Sequence, residues 1–285
     1  MKLAIASCTD LAEWEVDDQI LFDELRRQNI DFTVLAWDSE TDWSVFDCCL
    51  IRTTWDYSER VDEFKNWLNA VSTETLLLNP LPVLLWNIEK SYLRDLEKQG
   101  IPIAPSVWIE DSLCLRSLLR EKSWERAFLK PIIGASASNT FRFSCENITE
   151  AQEFLDRKLK EHSFILQPYL SSVETEGEYS ALFFNGKFSH AVQKIPVSGD
   201  YRVQDDYGAS DYRIEADKEL LDLSQAVLER LEQKCLYARV DALRLDNGSL
   251  VLNELELIEP SLFFRHSQTA AKELIKSLFC YRIEK

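Results

Sequence analysis

Residues 251–264 read VLNELELIEPSLFF, a leucine-rich run that carries glutamates at 254, 256 and 259. Successive side chains of a strand point to opposite faces, so Glu254 and Glu256 share one face and Leu255 and Leu257 share the other. The leucines have a core to fill. The glutamates need a cation or water. Upstream, YARVDALRLDNGSL (237–250) ends close to Asn247-Gly248, a dipeptide favoured in two-residue hairpin turns. With those two residues as the turn, Leu245 faces Leu250, Leu243 faces Leu252, Asp241 faces Glu254 and Arg239 faces Glu256. The four charged side chains then lie on one face. Directly opposed carboxylates repel unless a cation sits between them, so the hairpin is open both to a metal site and to the plainer reading of a solvated acidic face, and the rest of the chain decides.

The whole chain is acidic, with 32 basic and 49 acidic residues among 285 and a net charge of −17. Nucleic acid and anionic membrane surfaces are therefore disfavoured as partners. A hydrophobic content of 46% and 11% aromatic residues indicate a folded globular protein with ample core, in one large domain or two to three lobes. The opening MKLAIASCTDLAEWEVDD has too short an apolar run for a signal peptide, and no stretch approaches a membrane span, which makes the cytoplasm the expected location. The seven cysteines then read as reduced thiols, without any CxxC spacing. Three scattered histidines, His162, His190 and His266, disfavour a zinc site.

Along residues 1–86, KLAIASC, FTVLAW, CCLIRTTW and TLLLN alternate with amphipathic helical segments, a βαβ rhythm that implies a parallel sheet with helices on both sides. Ligands of such sheets sit beyond the carboxyl ends of the strands, here near Cys8-Thr9-Asp10 and Arg52–Tyr57. The first turn lacks GxGxxG, which disfavours a nicotinamide dinucleotide site and a hydride-transfer enzyme. From Asn87 the texture changes. Asn87 is expected to cap a helix running from Ile88 to Gln99, stopped by Gly100 and Pro102. RAFLKPI and TFRFS are strands around a small-residue loop, followed by a helix over about 149–160 and the strand FILQPYL. A ribbon, EYSALFF/KFSHAVQK, turns at Asn185-Gly186, and a polar loop (about 197–213) and a helix (about 215–233) precede the acidic hairpin.

The loop Gly134-Ala135-Ser136-Ala137-Ser138 has residues small enough for backbone N–H groups to wrap a phosphate, although it is not a Walker A loop. Lys130 stands at the strand end before it. Lys90, expected in a first helical turn, suits a nearby anion better than the helix dipole. Lys194, Arg202 and Arg239 also stand at element ends or in the polar loop. Each alone reads more readily as a solvated surface cation.

In order, NIEKSYL, FLKPIIGASAS, ILQPYL, QKIP, RVDAL and NELELIEP resemble the ATP-grasp ligases over nearly the whole chain, in the glutathione synthetase/RimK-like branch. CTDLAEWEVDD, IRTTWDYSERVDEFKNWL and LLWNIEKSYL are similar, more closely, to the O-ureido-D-serine cyclo-ligase family, which closes D-cycloserine. The resemblance implies an α/β chain with α+β lobes. Residues 1–86 would be an N-terminal parallel-sheet pre-ATP-grasp (substrate) domain and 87–285 the ATP-grasp domain, with a small lobe at about 106–168 and a C-terminal lobe at about 169–285. It implies ATP and Mg²⁺ as cofactors, two ions, with Mn²⁺ as an alternative. Lys90, Lys130, Gly134, Ser136 and Lys194 would hold phosphates, and backbone groups near Gln167 and Tyr169 would meet adenine. Asp241, Glu254 and Glu256 would hold metal. Glutathione synthetases carry asparagine where this chain has Glu256, a change that keeps a hard oxygen ligand.

The implied reaction is ADP-forming carboxylate–amine ligation through an acyl phosphate. Arg202 and Arg239 would stabilise developing charge, with Lys194 nearer the phosphates, and lids at about 134–139 and 197–213 would exclude water. An amino-acid-like small molecule would lie near Asp17, Asp56, Tyr57 and Arg265, an acid such as Asp17 taking an amine and Arg265 a carboxylate. Ring closure within one molecule and intermolecular amide or peptide ligation are both compatible with these residues, as are a monomer and a homodimer. A nucleotide-binding protein without turnover would be expected to lack metal ligands or phosphate lysines, and this chain has them.

Overall fold

The computed structural model describes residues 1–9, 16–134, 139–197, 203 and 208–283. The N-terminal region alternates as expected: β1 (Lys2–Ser7), α1 (Val16–Arg27), β2 (Asp31–Ala36), β3 (Cys48–Thr53), α2 (Val61–Glu74) and β4 (Leu76–Leu77). The strands form one parallel sheet in the order β2-β1-β3-β4. Strand alternation sorts its two faces. Leu3, Ile5, Cys48 and Leu50 pack with Leu21, Phe22 and Leu25 of α1, while Ala4, Ala6, Cys49 and Ile51 pack with Phe64, Leu68 and Val71 of α2.

Two short helices follow, α3 (Leu81–Asn87) and α4 (Tyr92–Lys98). The single helix expected over Ile88–Gln99 is therefore replaced by two, with Ile88–Ser91 between them, and Lys90 does not lie in a first helical turn. Asn87 ends α3 instead of capping a helix. Its side chain donates to the Leu255 carbonyl (2.9 Å) and accepts from the Leu257 amide (2.9 Å). These bonds to a sheet edge outbid capping, because they satisfy buried backbone groups that no other strand covers.

A four-stranded antiparallel sheet comes next: β5 (Val107–Ile109), α5 (Leu115–Lys122), β6 (Arg126–Pro131), β7 (Phe141–Ser144), α6 (Ile148–Lys158) and β8 (Phe164–Pro168), in the strand order β5-β8-β6-β7. The C-terminal region holds α7 (Ser172–Thr175), β9 (Glu178–Phe184), β10 (Lys187–Ile195), β11 (Ser210–Ile214), α8 (Lys218–Leu228), β12 (Tyr237–Arg244), β13 (Leu250–Glu256) and α9 (Ala270–Ile283). Its antiparallel sheet runs β11-β10-β9-β12-β13. The expected polar loop over about 197–213 is thus shorter, since Ser210–Ile214 pairs with β10 as an edge strand. α9 returns to the first sheet, where Leu274, Ile275, Leu278 and Tyr281 join the α1 core. No helix among the described residues is long and apolar enough to cross a membrane.

The register of the acidic hairpin corrects the sequence reading at one end and supports it at the other. Arg239 pairs with Glu256 and Asp241 with Glu254, as expected, but Leu243 pairs with Val251 and Arg244 with Leu250. The turn is longer than two residues: Leu245 N–H donates to the Ser249 carbonyl, and Gly248 N–H donates back to Leu245. A β-bulge at Asn253, between the Ala242–Leu252 and Asp241–Glu254 pairs, restores the register.

Asn79 fastens this hairpin to the first sheet. It is fully buried, donates to the carbonyls of Leu257 (2.6 Å) and Tyr237 (3.1 Å), and accepts from the Leu236 amide (2.8 Å). Replacing Asn79 by Ala leaves these backbone groups buried without partners, an expected loss of about 3 kcal/mol or more. A lower denaturation midpoint at unchanged m-value checks this.

Candidate active site

β9, β10, β12 and β13 share a polar face. Glu178 lies opposite Lys194, Ser180 opposite Asp241, Asp241 opposite Glu254, and Arg239 opposite Glu256. The close approach of β9 and β10 at Lys194 depends on Gly177. With φ at +72°, a Cβ there would lie 1.9 Å from the Lys194 carbonyl oxygen.

Carboxylate oxygens of Asp241, Glu254 and Glu256 converge to within 4.8 Å of one another. Arg239 holds two of the three, through bonds from Nε and Nη2 to Asp241 (3.0 and 2.9 Å) and an ion pair with Glu256. Ser180 also donates to Asp241, and Lys194 pairs with Glu178 and lies 3.6 Å from Asp241. Lys90 Nζ reaches Glu254 at 2.6 Å and donates to the Gly134 carbonyl at 2.9 Å, while its amide donates to the Ile132 carbonyl. Lys90 therefore joins the acidic hairpin to the small-residue loop. Lys130 donates to Asn253 Oδ1 (3.2 Å), and Asn253 in turn donates to Glu178.

Burial would raise both Asp241 and Glu254, but neighbouring cations outweigh it. Arg239 and Lys194 hold Asp241 below the ordinary carboxylate value, and Lys90 and Lys130 do the same for Glu254. Glu256 and Glu259 go the other way. Burial, with Asp241 and Glu254 adding repulsion, pushes Glu256 up to about 7 against the pull of Arg239. Burial and Glu256 push Glu259 up to about 8. Burial also lowers Lys130, helped by repulsion from Lys90. Three hard oxygen donors converging within 4.8 Å fit a small divalent cation such as Mg²⁺ or Mn²⁺.

The other expected site residues divide. Gln167 is buried and donates to Ser106 Oγ (2.9 Å). The amide of Tyr169 is engaged by the Arg126 carbonyl, and its ring lies 4.2 Å from the Arg126 guanidinium. Of that pair of strand-end residues, the Tyr169 amide is thus already committed within the protein. Asp17 and Arg265 meet each other: Asp17 Oδ1 accepts from the Arg265 amide (2.9 Å) and lies 3.4 Å from its guanidinium. Arg265 also pairs with Asp211 of β11. Tyr57 is buried against Phe64, with Glu259, Glu256 and Glu254 in electrostatic range of its hydroxyl. Asp56 belongs to a different group, accepting from Trp37 Nε1 (2.8 Å) and lying 3.7 Å from Arg60. Ser136 and Arg202 lie outside the described residues. Sequence reading passed over Glu178, Ser180 and Asn253. Ser180 reaches the site through the β9–β12 pairing, which no local pattern encodes, Glu178 through its place opposite Lys194 across β9 and β10, and Asn253 through the bulge.

The lobes, the lysines at the loop and the carboxylate face define an ATP-grasp ligase. Residues 103–245 match the family described as prokaryotic glutathione synthetase, ATP-grasp domain, and residues 3–79 match that described as D-cycloserine synthetase DcsG, N-terminal domain. The cycloserine biosynthesis protein DcsG of Streptomyces lavendulae is 31% identical over 294 aligned positions, covering 96% of this chain and 97% of that protein. The crystal structure of D-cycloserine synthetase DcsG superposes with a TM-score of 0.87 at 27% identity, covering 98% of each chain. D-alanine–D-alanine ligase from Bacillus anthracis, complexed with ATP, shares the fold, with a TM-score of 0.72 at 16% identity over 100% of each chain. The chain belongs to the ATP-grasp ligases, in the family of D-cycloserine synthetase DcsG. It is an ATP-dependent ligase.

Behind the site, Phe263 takes a left-handed backbone conformation (φ 50°), and its carbonyl accepts from His190 Nε2 (3.2 Å). Burial lowers the His190 pKa from 6.5 to about 4. The unfolded chain therefore binds this proton first, so the neutral ring stabilises the fold above pH 6.5, and that contribution is lost as pH falls towards 4. Between pH 7 and pH 5 the loss is about 2 kcal/mol. His190→Gln is expected to remove that part of the pH slope, as read by denaturant unfolding of both proteins at the two pH values.

Proposed function

We propose that this ligase is ADP-forming, activates the carboxylate of a small amino-acid-like molecule as an acyl phosphate, and closes a ring within that molecule, as O-ureido-D-serine closes to D-cycloserine. The observation that carries this reading is the 31% identity to DcsG along both the N-terminal region and the ATP-grasp region. A likeness confined to the ATP-grasp lobes would support ligation without favouring any substrate, since function lives in sites rather than folds.

A substrate carboxylate oxygen attacks the γ-phosphorus of ATP, and the bond to the ADP oxygen breaks. The substrate nitrogen then attacks the acyl carbon and gives up a proton, and the carbon–oxygen bond to phosphate breaks. Asp241, Glu254 and Glu256 would hold Mg²⁺, in one or two ions, with Mn²⁺ as a substitute. The ion would supply charge neutralisation on the phosphates. Lys90 bridges Glu254 and the Gly134 carbonyl, which suits a phosphate ligand at the loop that includes Ser136. Lys130 and Lys194 flank the same face and add positive charge for the phosphates. Arg239, with Arg202 as its expected companion from the polar loop, would offset charge on the acyl phosphate and on the oxyanion formed at nitrogen attack. Adenine would lie against the strand end at Gln167 and Tyr169. The substrate would extend from the carboxylate face towards Tyr57 and the Asp17–Arg265 pair, with Asp56 further along that wall. The boundary near residue 86 and lobes near 106–168 and 169–285 suit this division between substrate and nucleotide. Dependence on ATP supports a cytoplasmic location.

The test mixes the protein with Mg-ATP, hydroxylamine and a panel of amino acids that includes O-ureidoserine of both hands. Ring product and ADP from the D form are expected, and ADP without ring product from every compound would overturn cyclisation. Glu254→Gln is expected to lower turnover by about 100-fold or more and to raise the Mg²⁺ concentration needed for half-maximal rate. Steady-state rates across a Mg²⁺ series check this.

A further inference from the structure

The glutamate that remains is Glu259. Its backbone is held from three sides. Trp55 Nε1 donates to the Glu259 carbonyl (3.3 Å), Arg52 Nη1 to the Pro260 carbonyl (2.9 Å), and Arg239 Nη1 to the Ser261 carbonyl (3.1 Å). Arg52 is in turn fixed by a buried ion pair with Asp18 (2.8 Å). Three donors on three consecutive carbonyls fix where the Glu259 side chain leaves the main chain.

That side chain stands apart within the charged face. Glu254 pairs with Lys90, Glu178 with Lys194, and Asp241 and Glu256 with Arg239. Among the described residues no ion pair reaches Glu259. Yet Glu256, Lys90 and Arg239 all act on its carboxyl electrostatically, and it leads the charges acting on the Tyr57 hydroxyl. Glu259 thus sits where the metal-holding carboxylates meet the Tyr57 wall. Its carboxyl has only its own backbone amide as a hydrogen-bond partner and no counter-ion among the described residues, which leaves it free to meet a ligand at that seam.

We propose that Glu259 is a catalytic residue of the second half-reaction, accepting the N–H of the attacking nitrogen and aligning it with the acyl carbon. This rests on the ligase reading above. As the carbon–nitrogen bond forms, the nitrogen proton passes to the Glu259 carboxylate, and the electrons of the breaking carbon–oxygen bond leave with phosphate. The carboxyl must enter this step ionised, the form that Lys90 and Arg239 favour. The group it serves is an uncharged N–H nucleophile such as a ureido or amide nitrogen. Tyr57 closes the same wall and keeps water from competing.

The experiment separates the two half-reactions. Wild type, Glu259→Gln and Glu259→Asp are compared for Mg-ATP affinity by calorimetry, for hydroxamate formation with hydroxylamine, and for product formation, using O-ureido-D-serine and an intermolecular amino-acid pair. Thermal melting confirms that each variant is folded. Glu259→Gln should keep Mg-ATP affinity within about threefold and still yield hydroxamate, while product formation falls by about 100-fold or more, and Glu259→Asp should recover part of the loss. Unchanged product formation in Glu259→Gln overturns the proposal. So does a parallel fall in Mg-ATP affinity, hydroxamate and product, which would make Glu259 a metal ligand. If wild type turns over only the intermolecular pair, the cyclisation reading fails while the variant ratio still tests Glu259. Silence of wild type on both substrates overturns the two together.

Discussion

Arg239 is the interaction on which the polar face depends. Its guanidinium is buried, binds Asp241 through two nitrogens, pairs with Glu256, donates to the Ser261 carbonyl and lies over the Phe263 ring. Without it, Asp241 and Glu256 would lie as diagonal neighbours on adjacent strands with their shared counter-charge gone, Asp241 being buried. The cost of an uncompensated buried charge exceeds that of losing a surface pair several-fold. The same guanidinium also ties β12 to the segment that turns away after β13. One side chain thus sets both the charge balance and the path of the chain past the site.

That path is held from the N-terminal side by polar side chains rather than by a continuous sheet. Asn87 and Tyr92 occupy the free edge of β13, at Leu255 and Leu257, and Asn79 does the same for the start of β12 and the end of the hairpin. These groups are directional where apolar packing is not. Together with the Arg52 bond to Pro260, they fix the register between the first sheet and the carboxylate face. A substrate reaching from one to the other needs that register held to within a fraction of an ångström.

How much of this was legible in the sequence depends on how local the signal was. The parallel sheet of residues 1–86 followed from alternating apolar runs, and the Asn185-Gly186 turn from its dipeptide, both residues having positive φ. The opposition of Asp241 to Glu254 was reached through two errors that cancel. The turn holds one residue more than assumed, and the Asn253 bulge restores the offset. Asn87 misled because a capping residue and an edge-strand clamp look alike until the strand that it meets is known. Glu178 and Ser180 lie within an ordinary alternating strand, and only the pairing of β9 with β10 and with β12 on its two sides gives them a role. Long-range pairing carries no local pattern, and the unread part of the site is the part built by it.

The glutamate at 256, where glutathione synthetases carry asparagine, shows how the fold absorbs an added carboxyl. Asparagine offers one neutral oxygen and no net charge. Glu256 is matched by Arg239, yet burial and two neighbouring carboxylates lift it to about 7, so near neutrality its charge is only partly expressed. A divalent cation would favour the ionised form and draw the proton off, so that the extra ligand charge appears when there is something to bind. In the proposed metal site the substitution would therefore couple metal affinity to pH more steeply than an asparagine could.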